Sequence, residues 1–298
     1  MRYTVAGLAL LTLAGCADSK WNFLRNNQDS GRAGIENPTQ GDLLAYLNRN
    51  AQQVRSIRCD VIAMDTRMRI QQVNIGGKMI CEKPRNFRLF AEALGATEAD
   101  IGSNDREFWY YIKRNDPPML VTCSYQDLQN GAKIPFPFQP EWVMEALGMA
   151  EYNPADNYRI NANRKNFELI KDLNYQGQRV QKVTIFNRDK SRIQVAGHQL
   201  RDARGDVICS AEITDVANVG GVMLPRKIVM HYRAEGLTIK LKLFDDVRDV
   251  VINQPIDAEQ SRSLFSRPTY AGVQTVDLGV LSGVSNQVRP AGGFAPQR

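Results

Sequence analysis

Between residues 54 and 243 the chain returns again and again to a period of two. Ile57, Cys59, Val61 and Ala63 share one parity, with Ser56, Arg58 and Asp60 on the other. Met68 and Ile70 alternate with Arg67, Arg69 and Gln71, and Met79 and Cys81 with Lys78 and Glu82. Val207, Cys209, Ala211 and Ile213 alternate with Asp206, Ser210 and Glu212. Ile228, Met230 and Tyr232 alternate with Lys227 and His231, and Ile239, Leu241 and Leu243 with Lys240 and Lys242. Successive side chains of a pleated strand point to opposite faces, so these runs predict antiparallel strands that are apolar on one side and wet on the other. Runs at 86–93 (with Phe87 and Leu89), 105–112 and 119–123 extend the meander. Asn74-Ile75-Gly76-Gly77 reads as a turn, and Val183 and Ile185 are expected to pair with Ile193 and Val195 across 188–191.

Two segments break this rhythm with helical spacing. Thr39-Gln40-Gly41-Asp42 forms a capping-box pattern ahead of Leu43, Leu47 and Val54. Pro140 then precedes a short helix predicted over 141–149, with Trp142, Val143, Ala146 and Leu147 on its apolar side and Gly148 near its exit. One sheet of ten or more strands with a continuous apolar face must curl. The fold class is therefore mainly β with helices (α+β): a curled antiparallel sheet forming an incomplete barrel, with a helical lid over an apolar cavity.

The N-terminus carries a separate signal. Met1-Arg2, an apolar run over 5–13 and Leu13-Ala14-Gly15-Cys16 describe an export signal, too short to span a bilayer. The Leu-Ala-Gly-Cys ending resembles the lipobox of bacterial lipoproteins. That resemblance implies cleavage before Cys16 and lipid on its sulfur, which makes the membrane surface a partner through lipidated Cys16. The expected organisation is a signal peptide at 1–15, a lipidated tether at 16–38, a folded domain at 39–270 and a mobile tail at 271–298. A flexible tether of ~20 residues reaches roughly 25 Å, and Trp21, Phe23 and Leu24 lie close to the anchor. Ala17 after the lipid cysteine favours the outer membrane over the inner one.

Composition excludes several classes. Apolar residues make up 43% and charged residues 23%, a globular profile rather than a disordered one. The net charge of +6 comes from scattered basic residues, read as solvated strand faces, and no nucleic-acid motif is present. Cys59, Cys81, Cys123 and Cys209 show no CxxC spacing, so metal binding is not indicated, and buried thiols are favoured over one disulfide. His198 and His231 read as surface or edge positions, and Asp215, Asp245 and Asp246 as loop residues following strands. No nucleophile elbow, metalloprotease or P-loop spacing occurs. A calcium loop at 187–198 fails, because Arg192 and His198 stand where its Gly and bidentate Glu belong. No catalytic residue and no cofactor is expected.

Met79-Ile80-Cys81-Glu82-Lys83-Pro84-Arg85-Asn86-Phe87-Arg88-Leu89, Ser103-Asn104-Asp105-Arg106-Glu107-Phe108-Trp109-Tyr110-Tyr111, Met223-Leu224-Pro225-Arg226-Lys227-Ile228, Val250-Val251-Ile252-Asn253 and Leu264-Phe265-Ser266-Arg267-Pro268 are similar to successive steps of the LolA/LolB lipoprotein-localisation family. The resemblance runs from about residue 42 to residue 268. It implies an incomplete β-barrel with a helical lid, whose cavity takes the acyl chains of lipids or lipoproteins. Cys16 makes the chain anchored, like LolB, and the segment from Ile134 to Phe138 is the nearest candidate for a LolB-like protruding apolar loop.

The expected cavity lining is Ile57, Cys59, Val61, Met68, Ile70, Met79, Phe87, Leu89, Ile228, Met230, Ile239, Leu241 and Leu243. For the aromatic run 108–111 two readings stand: a strand buried on both faces, or one parity, Phe108 with Tyr110 or Trp109 with Tyr111, lining the cavity. Leu43, Leu47, Trp142 and Leu147 are the lid contacts. Two functions remain: acyl-chain binding in envelope lipoprotein sorting or lipid transfer, or an envelope sensor or scaffold whose interior is filled.

Replacing Cys16 with Ser is expected to move the protein, still folded, from the membrane pellet to the soluble fraction. Retention in a pellet washed with high salt refutes the anchor.

Overall fold

The structure is a computed structural model that describes residues 37–284 apart from 69–70, 94–95, 115–116, 135–139, 176 and 190–191. The expected signal peptide, Cys16, Trp21, Phe23, Leu24 and nearly all of the expected tether lie outside the described residues.

The chain opens with helix α1 (Gln40–Gln53). Its capping box forms as expected: Asp42 N–H donates to Thr39 Oγ1 at 3.2 Å, and Thr39 N–H donates to the Asp42 carboxylate at 2.9 Å. The strands β1 (Ser56–Met68), β2 (Gln71–Glu82), β3 (Asn86–Ala93), β4 (Ala96–Ser103), β5 (Glu107–Ile112) and β6 (Met119–Ser124) then run as a meander. Two short helices, α2 (Tyr125–Gln129) and α3 (Pro140–Ala146), separate it from a second meander. This comprises β7 (Tyr158–Ala162), β8 (Asn166–Tyr175), β9 (Gln178–Asp189), β10 (Arg192–Asp202), β11 (Val207–Val219), β12 (Val222–Tyr232) and β13 (Leu237–Lys242). The chain continues through β14 (Val250–Ile252), α4 (Ala258–Leu264), β15 (Gln274–Asp277) and α5 (Leu278–Leu281).

The two meanders join where β1 pairs with β13, so one sheet runs β15-β6-β5-β4-β3-β2-β1-β13-β12-β11-β10-β9-β8-β7. It is curled and not closed into a barrel. Every pairing is antiparallel except that of β15 with β6. The first half of β1 pairs with β14 and the second half with β13, so β1 joins the two meanders.

Three expectations are corrected, and two strands were not expected. Asn74-Ile75-Gly76-Gly77 is no turn: it lies inside β2, and Met68 opposite Gln71 places the connection at 69–70. The β9–β10 hairpin forms, but in another register: Val195 faces Phe186, Ile193 faces Arg188, and a bulge follows Val195. The β4 and β7 runs show too weak an alternation to have been read as strands. The tail after Tyr270 is not simply mobile, because β15 adds to the sheet edge and α5 follows it; residues 285–298 lie outside the description.

The outer face carries one buried ion pair. Arg88 Nη2 lies 2.6 Å from Asp100 Oδ2, the two side chains being 7% and 0% exposed. Arg88 Nη1 donates to the carbonyls of Leu264 and Ser266, and Tyr270 donates its hydroxyl to Asp100 at 2.6 Å. The segment after α4 is thereby stitched to β3 and β4. Beside this pair, a Cβ on Gly102 would come within 2.4 Å of the Trp109 ring.

Arg88→Met leaves the Asp100 carboxylate buried without its cation, and is expected to cost about 3–5 kcal/mol. A urea midpoint within error of wild type rejects this assignment.

Candidate functional site

Residues directly opposite one another across strands share a face, so the register maps the two sides of the sheet. One row reads Cys59, Met79, Leu89, Ile101, Tyr110 and Val121 across β1 to β6. Another reads Thr184, His198, Ala211, Met230 and Ile239 across β9 to β13. Both rows lie on the apolar inner face. Ile57, Cys59, Met79, Phe87, Leu89, Ile228, Met230, Leu241 and Leu243 are buried in a single cluster there, with Ile239 partly buried against it.

The helices meet this face. α3 sets Val143, Met144 and Ala146 into the same cluster, joined by Leu147 just after it, and Trp142 packs on it with its ring centroid 5.7 Å from that of Tyr175. α1 places Leu43, Leu44 and Leu47 against Phe167, Leu169 and Phe186. The two are tied together through the chain after α3: Asn48 Nδ2 donates to the Tyr152 carbonyl at 2.8 Å, and Tyr152 N–H returns a bond to Asn48 Oδ1 at 2.8 Å. α3 ends in a Schellman turn, with Gly148 at φ +76 where a side chain would be strained.

Several expected site residues fall elsewhere. A bulge between Cys59 and Ile62 adds a residue to β1 and reverses its parity, so Ile62 is buried and Val61 is 57% exposed. Trp109 and Tyr111 face outward: Trp109 lies opposite Gly102 and Thr122, and Tyr111 stacks on Tyr270 with centroids 4.2 Å apart. The inner parity of β5 is Phe108 and Tyr110, so this strand is buried on both faces. The side chains of Met68 and Ile70 lie outside the described residues. Ile134 is buried against Phe108 and Leu278 rather than protruding, and 135–139 lie outside the description.

Sequence reasoning missed a polar group under the lid. Glu145 of α3 is 4% exposed, yet it points into the apolar face. Lys182 of β9 meets its carboxylate at 2.5 Å, Tyr152 donates to it at 2.6 Å, and His198 Nδ1 stands 3.7 Å away. Thr184 Oγ1 lies 3.4 Å from both the Tyr152 hydroxyl and His198 Nδ1. His198 is therefore no surface residue. The available signal was an acid at 145, three residues after Trp142 and so within the helix's apolar stripe.

Burial alone would raise the Glu145 pKa, but Lys182, His198 and Tyr152 outweigh it and hold the carboxyl below its ordinary value. Burial lowers the His198 pKa, against the pull of Glu145 and with help from Lys182. Burial, then Glu145, pushes the Tyr152 hydroxyl well up. At neutral pH the group is thus an anion facing one cation, with a neutral imidazole and a neutral phenol. A cavity of about 50 Å³ adjoins it, lined by Trp142, Val143, Leu200, Cys209, Met230 and Tyr232 among others.

The four cysteines are free and buried; burial raises the Cys59, Cys123 and Cys209 thiols to about 12. Among the described residues no cluster of His, Cys, Asp or Glu is placed to hold a metal ion, and no helix is long and apolar enough to cross a membrane.

With this geometry in view, the chain can be compared with known proteins. No protein-family model and no curated protein matches it. Solved structures do. A LolA-superfamily protein of Nitrosomonas europaea is 12% identical, with 75% of this chain aligned to 97% of that one at a TM-score of 0.46. A DUF1329-family protein of Desulfovibrio piger is 9% identical, over 76% and 97% at 0.49. A candidate outer-membrane lipoprotein-sorting domain of Vibrio parahaemolyticus is 10% identical, over 74% and 94% at 0.45.

Both His198 and Glu145 have folded-state pKa values below their ordinary ones. Their stability contribution is present above the unfolded values, 6.5 for His and 4.5 for Glu, and is lost as pH falls through the folded ones. Acidification from pH 7 to 5 is expected to weaken the fold, and His198→Gln to flatten that loss. Identical pH profiles of Tm for the variant and wild type contradict this assignment.

Proposed function

We propose that the protein binds acyl chains of lipids or lipoproteins on the inner face of its sheet, as a periplasm-facing envelope protein held to a membrane through lipidated Cys16. We assign it to binding, with no catalytic step, in lipoprotein sorting or lipid transfer. The observation that carries the reading is the inner face itself: a broad apolar surface covered by two short helices rather than by a second sheet. Each CH₂ moved from water to such a surface contributes about 0.8 kcal/mol, so part of one chain gives useful affinity without polar recognition. Met79 and Met230 on that face adapt readily to variable apolar shapes.

With α3 docked, the cavity beside Glu145 has room for about one or two waters, not an acyl chain. Uptake therefore requires α3 to lift, and the Glu145–Lys182 pair is what that movement breaks. The competing reading, a scaffold or sensor with a permanently filled interior, rests on the same small cavity.

A fluorescent hexadecanoyl probe separates the two. Binding is expected to be insensitive to salt, to be faster in Glu145→Gln, and to be lost in Met230→Glu, with folding checked by circular dichroism. A folded wild-type protein that takes up no probe, at pH 7 or at pH 5, supports the scaffold.

A further inference from the structure

The outer face of the sheet carries a second cavity, distinct from the space under the lid. After β14 the chain turns at Asn253, whose side-chain oxygen accepts from the backbone N–H of Arg55 at 2.6 Å and whose amide donates to the Gln53 carbonyl at 2.7 Å. It is pinned again where Arg88 grips the carbonyls of Leu264 and Ser266, and Ser261 donates to Glu82 at 3.1 Å. Between these pins, residues 254–260 form a strap over β1, β2 and β3. About 280 Å³ lies beneath it.

The lining has two characters. Ile80 and Phe90 from the sheet and Val251, Ile256 and Leu264 from the strap side are each only partly buried around this one space. Arg58, Lys78 and Arg88 bring three cations to its wall, against Asp60 as the one carboxylate. Asp60 is taken by Arg58 at 3.2 Å, and Asp100 neutralises Arg88 from outside the cavity. Lys78 is exposed and has no carboxylate partner among the described residues. The site thus combines apolar surface, which lacks cover, with one uncompensated positive charge at its edge.

We infer that this cavity binds a single-chain anionic amphiphile of medium length, its apolar body under the strap and its anionic head at Lys78. Charge complementarity selects the head, since a cationic amphiphile would meet Lys78 and Arg58. Volume selects the body: 280 Å³ equals about nine water volumes of ~30 Å³, matching a chain of roughly eight to ten carbons and not a diacyl lipid. The inference does not depend on acyl binding at the inner face.

Decanoate is the probe, titrated into the full chain by calorimetry with decanol and decyltrimethylammonium as comparators. Decanoate is expected to bind more tightly than either. Lys78→Glu is expected to weaken it about fivefold or more, and Ile256→Glu more than tenfold, both at surface positions where folding is retained and checked by circular dichroism. Trp142→Ala, under the lid, should leave decanoate binding unchanged. Decanoate that fails to bind, or that binds equally in both outer-face variants, overturns the site. Loss of binding in Trp142→Ala alone assigns the ligand to the inner face instead. Failure of the hexadecanoyl probe with decanoate binding intact rejects only the acyl-carrier reading.

Discussion

The structure depends on covering one face of an open sheet. A sheet whose strand order ends at β15 on one side and β7 on the other has no barrel closure to hide its apolar side. Exposed apolar patches beyond a few hundred Å² are uncommon in soluble proteins, so that face has to be met by other elements. Apolar residues of both meanders share one cluster with α3, and α1 packs on Phe167, Leu169 and Phe186. Each large apolar side chain buried this way contributes about 1.5–3 kcal/mol, so the helices cannot leave without a substantial penalty.

That penalty makes Glu145 informative. A carboxylate set into an apolar face costs several kcal/mol unless it is paired. Its partners come from elsewhere in the chain: Lys182 and Thr184 from β9, His198 from β10 and Tyr152 from the loop after α3. The group makes α3 docking depend on geometry and on protonation. A cover held only by apolar contacts would have neither property.

The outer face is not inert scaffold. Arg88 and Asp100 form a buried pair, and the C-terminal segment wraps over Trp109 and Tyr111. The sheet is therefore clad on part of both sides. The strap leaves a cavity where its apolar residues and those of β2 and β3 do not meet. The outer cavity, at about 280 Å³, is the larger of these two spaces, against about 50 Å³ beside Glu145.

The sequence by itself determined the class of fold. Period-two runs, the Thr39–Asp42 capping box and the helical spacing after Pro140 specify strands and two covering helices, because they depend on neighbours along the chain. It also placed Leu43, Leu47, Trp142 and Leu147 on the packed sides of their segments, and Ile57, Met79, Phe87, Ile228 and Leu241 on the buried face of the sheet. What it left undecided depends on contacts between distant residues. Val61 was misplaced because the bulge before Ile62 is set by pairing with β2, not by composition. The facing of Trp109 and Tyr111 stayed open because an all-aromatic strand has no parity signal, and the stacking of Tyr270 on Tyr111 marks their side as the outer one. Glu145 and His198 could not be paired from spacing, since 53 positions separate them and only the β9–β10 register and the docking of α3 bring them together. The outer cavity was invisible for the same reason: its walls come from β1 to β3 and from a strap beyond residue 250, and tertiary folding alone sets the gap between them.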